Sequence, residues 1–83
     1  MRIRLQGDAK RQPSDAERRL LEAMRDHPEV VLRSELSQLA GCKNASVVGR
    51  LLTSLALKYG CTTTERAYMV RYAIRKKWIN ASH

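Results

Sequence analysis

Ala16, Leu20, Ala23, Met24 and His27 recur at three- and four-residue steps, the period of an amphipathic helix. Ser14 to Glu17 reads SDAE, a capping box. In such a box the serine accepts from the N–H three residues on, and the glutamate reaches back to the serine's own N–H. The pattern predicts a first helix over 15–26, stopped by Pro28. EVVLR at 29–33 is short and β-branched, suited to a brief strand or an extended connector. Ser34 then offers an N-cap for a second helix over 35–40, with Leu36 and Leu39 inward. Gly41 stands where that helix ends, because glycine takes the left-handed conformation without steric cost. Asn44 is a second N-cap candidate and opens a third helix over 45–59, closed by Gly60. Its inward face carries Val48, Leu51, Leu52, Leu55 and Tyr59.

Beyond Gly60 the pattern changes. CTTT at 61–64 favours a strand, ERA at 65–67 a tight turn, and YMVRYAI at 68–74 alternates with period two. Tyr68, Val70 and Tyr72 fall on one face, Met69 and Arg71 on the other, which predicts a β-hairpin. RIRL at 2–5 reads as an edge strand, 7–13 as a linker, and 75–83 as a basic tail anchored by Trp78. Strand, helix, short strand, helix, turn, helix, hairpin is the order of a winged helix-turn-helix. The expected fold is therefore α+β, with three helices and a C-terminal hairpin wing. It occupies residues 14–74, between an N-terminal strand and linker (1–13) and the tail. Two alternatives for 36–52 are a helical hairpin in an all-α bundle and one continuous helix. The second would place Gly41 and the Asn44 cap in a helix interior.

Charge turns this fold toward a partner. The chain has 83 residues and a formal net charge of +8. Residues 1–35 hold eight bases and seven acids, whereas 36–83 hold eight bases and one acid, Glu65. A basic half beside a balanced half points to a polyanion. The expected partner is double-stranded DNA, with the third helix in the major groove and the wing on the backbone or minor groove. Opposite the apolar face lie Lys43, Ser46, Arg50, Thr53 and Ser54, with Asn44 at the helix start and Lys58 near its end. Arg50 is the candidate guanine reader, since its forked guanidinium bonds two acceptors on the major-groove edge. The hydroxyls suit bases or phosphates, and the helix N-terminal N–H groups near Asn44 to Ser46 favour a phosphate. Arg66 falls at the hairpin tip and Arg71 on the face away from the tyrosines, both as wing contacts. Leu57 also falls on the polar side, fit to pack on the hairpin or to meet a protein.

The stretch PSDAERRLLEAMRDHPEVVLRSELSQLAG, residues 13–41, resembles the OmpR/PhoB-type winged-helix effector domain of bacterial response regulators. HPEVVLRSEL at 27–36 is similar to that family's junction between first helix, short strand and second helix. VVGRLLTSLALKYG shares the recognition helix's apolar spacing, and TTTERAYMV loosely resembles the wing. The resemblance implies a winged-helix fold and DNA binding, with recognition on Ser46, Arg50, Thr53 and Ser54 and wing contact on Arg66. The chain departs from the family in lacking glycines between Cys61 and Trp78 and in its compact connection AGCKNAS. That connection is closer to LacI-type helix-turn-helix units. No receiver domain is expected from these 83 residues, so phosphorylation control is not implied.

Other classes have less support. No Ser/His/Asp set, paired carboxylates in the basic half or phosphate-cradling glycine loop points to an enzyme. Cys42 and Cys61, with His27 and His83, do not match a zinc spacing, so no metal or cofactor is expected. No apolar stretch suits a membrane span or an export signal, which predicts a soluble, cytoplasmic protein, and the resemblance implies the bacterial cytoplasm or nucleoid. The expected role is a small sequence-specific transcriptional regulator, with a homodimer on a repeated site plausible. The alternatives are a winged-helix module docking on RNA polymerase or another regulator through Leu57, Tyr72 or Trp78, and non-specific nucleic-acid binding.

Overall fold

The computed structural model describes residues 11–81. Among them the chain forms α1 (Asp15–Asp26), α2 (Arg33–Ala40), α3 (Ala45–Tyr59) and α4 (Arg66–Arg75), and no strand. The strand expected at 2–5 and most of the linker lie outside the described residues.

α1 and α3 begin, and α2 and α3 end, for the reasons their sequences supply. The Ser14 hydroxyl accepts from the Glu17 N–H at 3.2 Å, and the Ser14 N–H donates to Glu17 Oε1 at 2.8 Å, completing the capping box of α1. Asn44 caps α3 by accepting from the Val47 N–H at 3.1 Å. Gly41 (φ 72°) and Gly60 (φ 70°) take the left-handed conformation that closes α2 and α3. Residues 30–32 form a connector rather than a strand, and α2 starts two positions earlier than its serine suggests. Leu32 occupies the cap position, while Ser34 lies inside the helix and its carbonyl accepts from the Ser37 hydroxyl at 2.6 Å. Leu39, expected inward, is 46% exposed; Leu36, Ser37 and Ala40 face the core instead.

The expected α+β fold with a hairpin wing is overturned by α4. The buried residues of this segment are Met69, Val70 and Ala73, spaced as a helix face and not as alternate strand positions. Its alternation of tyrosine and aliphatic residues overlaps a helical stripe, and the stripe prevails because α1 and α3 cover it. CTTT is the turn ahead of this helix. Glu65 Oε1 accepts from the Thr62 N–H at 2.9 Å and from its hydroxyl at 3.1 Å, pinning the chain where α4 begins.

The core joins all four helices. Leu20 and Leu21 of α1, Leu36 of α2, Val48, Leu52 and Leu55 of α3, and Met69 of α4 are fully buried. Each such side chain contributes about 1.5–3 kcal/mol relative to exposure. Behind them Tyr59 stacks on Tyr72, ring centroids 4.4 Å apart, and on Trp78 at 6.0 Å. Ile79 is buried beyond α4, so the stretch read as a basic tail folds back onto the core at Trp78 and Ile79. No helix among the described residues is long and apolar enough to cross a membrane.

Candidate nucleic-acid interface

The unit that presents the candidate site is α2, the turn at 41–44, and α3. The Cys42 N–H reaches back to the Ser37 carbonyl at 2.7 Å, tightening the turn around Gly41. Leu36 and Ala40 from one helix and Val48 and Leu52 from the other are buried in the shared core, so the two helices are locked together. This leaves one stripe of α3 in solvent.

Along that stripe stand Ser46, Arg50, Thr53 and Leu57, at steps of a helical face, with Gly49 between them. Together with Ser54, Arg33 of α2 and Thr63 of the following turn, they line an open depression of about 670 Å³. Its lining holds two guanidinium groups and four hydroxyls and no carboxylate. Among the described residues, neither Arg33 nor Arg50 forms an ion pair. The Thr53 hydroxyl donates to the Gly49 carbonyl at 3.0 Å and keeps acceptor capacity toward the depression. Unpaired cations with hydroxyls around an acid-free depression suit a polyanion carrying hydrogen-bonding edges.

The structure sorts the residues singled out from the sequence. Ser46, Arg50, Thr53 and Ser54 come together, Ser54 half-buried and the other three exposed. Lys43 is exposed in the turn, and the Asn44 side chain is committed to the cap. Lys58 turns inward. Its ammonium donates to Glu17 Oε1 at 2.5 Å and to the Gln12 carbonyl at 3.1 Å. Glu17 is 3% exposed. Burial raises its carboxyl pKa, but the hydrogen bonds from Lys58, Ser54 and the Ser14 N–H, with the charge of Lys58, outweigh that and hold it below its ordinary value.

Arg66 and Arg71 lose their expected wing role with the hairpin itself. Arg66 opens α4 and donates to the Val30 carbonyl at 3.1 Å, tying the connector down. Arg71 is exposed on α4 and does not line the depression. Arg33 is the contributor that sequence reasoning missed. Its position falls at the end of the stretch read as a brief strand or an extended connector, and the helix that begins at Arg33 brings it to the depression beside α3.

No set of three His, Cys, Asp or Glu side chains among the described residues is placed to hold a metal. Cys42 and Cys61 are free and half-buried; burial, then the charge of Glu65, pushes the Cys61 thiol pKa up. Comparison of the chain with protein-family models, curated proteins and solved structures finds no match.

Proposed function

We propose that this protein binds double-stranded DNA through a wingless, all-helical helix-turn-helix, as a small sequence-specific regulator. The observation that carries the reading is the acid-free, two-arginine depression on the solvent stripe of α3. In this reading α3 enters the major groove and Arg50 pairs with a guanine edge. Ser46 and Thr53 bond neighbouring bases or phosphates, and Lys43 meets the backbone beside the start of α3. The basic excess over 36–83 supplies the sequence-independent attraction.

A second reading, a protein contact, draws on Leu57, which is 81% exposed at the end of the same stripe. Tyr72 and Trp78, the other candidates for such docking, stack on Tyr59 and pack half-buried against the core. A homodimer on a repeated site belongs with the first reading, since two copies multiply the affinity of one small module.

Titration of random and selected duplexes at several salt concentrations separates the readings. Sequence-specific binding predicts a tight subset of duplexes whose advantage shrinks about tenfold in Arg50→Ala. Equal affinity for every duplex overturns specific reading in favour of generic binding. No binding at low salt overturns DNA binding and favours the protein contact.

A further inference from the structure

Gly49 is a glycine in the middle of a helix, at a position where alanine would be more stable by about 1 kcal/mol. It stands on the solvent stripe, one residue before Arg50 and between Ser46 and Thr53. A Cβ built there would lie 3.4 Å from Nη1 of Arg33, in ordinary contact with the guanidinium. The guanidinium of this α2 arginine thus lies against the surface of α3 at Gly49.

Arg33 itself opposes its own helix. It is the first residue of α2, where the helix dipole favours acids over bases, and the cap residue Leu32 makes no side-chain hydrogen bond. Among the described residues no carboxylate pairs with it. A destabilising charge, laid over a destabilising glycine, converges with Arg50 on one depression. Neither stability nor solvation of an ordinary surface accounts for both choices together.

We propose that Arg33 is a second base-reading residue: α2 lends a guanidinium to the reading surface of α3 across Gly49, and the recognised site carries two guanines, one for Arg33 and one for Arg50. This rests on the DNA-binding reading above. An arginine at the start of a supporting helix could instead grip the sugar–phosphate backbone. Its place against the solvent stripe of α3 puts it beside the base-edge contacts.

The experiment is duplex selection followed by titration of the wild type, Arg33→Ala, Arg33→Lys and Arg50→Ala, with melting curves to confirm that each is folded. The wild-type site is expected to show two guanine positions. Arg33→Ala should lose about tenfold of the preference at one of them and little of the affinity for random duplex. Arg50→Ala should lose the other. Arg33→Lys keeps the charge without the fork, so it should fail to restore the first preference. Uniform weakening of all duplexes by Arg33→Ala, with rescue by lysine, assigns Arg33 to phosphate and overturns the proposal while leaving DNA binding intact. An unchanged site in Arg33→Ala overturns it as well. A wild type that selects no duplex removes both this proposal and the reading beneath it.

Discussion

Lys58 and Glu17 form an ion pair that bolts the end of α3 to the start of α1, their Nζ and Oε1 atoms 2.5 Å apart. The same carboxylate completes the capping box of α1, so one buried acid ties the helix that carries Arg50 to α1. Lys58 is thus a structural residue, and its ammonium is turned away from any ligand on the solvent stripe. Replacing it strands a buried carboxylate. Lys58→Ala is expected to cost about 2–3 kcal/mol in urea unfolding. A cost below about 0.5 kcal/mol, typical of a surface pair, would contradict the assignment.

The same pair sets a pH dependence. The Glu17 carboxyl titrates below its ordinary value of 4.5 in the folded chain. The unfolded state therefore binds its proton first as pH falls, and stability is lost from about pH 4.5 downward through the folded value. Above that range this contribution is fully present. Melting temperatures followed from pH 7 to pH 3 should fall for the wild type, and the Glu17→Gln variant should fall less steeply. Parallel curves would rule out Glu17 as the group responsible.

Met69 distinguishes the helix observed from the hairpin expected. In a hairpin it shares the solvent face with Arg71; in α4 it is fully buried. Met69→Ala is therefore expected to lower stability by about 2–5 kcal/mol. Arg71→Ala, on the exposed side, should change stability by no more than about 0.5 kcal/mol. Chemical denaturation of the two variants decides the matter, and equal stabilities would favour the hairpin.

The Tyr59 hydroxyl is buried, with no hydrogen-bond partner among the described residues. Burial, followed by the nearby Glu17 charge, pushes its pKa up, so the group stays protonated. Its ring stacks on Tyr72 and Trp78, whereas the oxygen has lost water without gaining a partner. Tyr59→Phe keeps the stack and removes the unsatisfied oxygen. It should leave stability unchanged or raise it by up to about 1 kcal/mol. A loss of more than about 1 kcal/mol would mean that the hydroxyl has a bonding partner.

Much of the helical frame was legible because its signals are local. Ser14 and Glu17 bracket the start of α1, Asn44 opens α3, and Gly41 and Gly60 close their helices by a backbone conformation few other residues tolerate. The second half of the fold was not legible in the same way. Residues 68–74 satisfy a strand period and a helix period at once, and only burial against α1 and α3 separates them. Thr62 and Glu65 did carry a local sign, a threonine three residues ahead of a glutamate before an apolar run, which the β-favouring threonines masked. The candidate site divides similarly. Ser46, Arg50 and Thr53 follow from the period of one helix, whereas Arg33 reaches the depression only through the packing of α2 on α3. Lys58 faces inward because a distant acid, Glu17, attracts it, and no spacing along α3 records that.

The most direct test of DNA binding through α3 maps where a duplex touches the protein. Backbone amide shifts of the isotope-labelled chain, followed by NMR as a selected duplex is added, report the contact surface residue by residue. DNA binding through α3 predicts the largest shifts at Arg33, Ser46, Gly49, Arg50 and Thr53, with Arg71 and the rest of the exposed side of α4 unmoved. Shifts concentrated on α4, or none along α3 at saturating duplex, would contradict it.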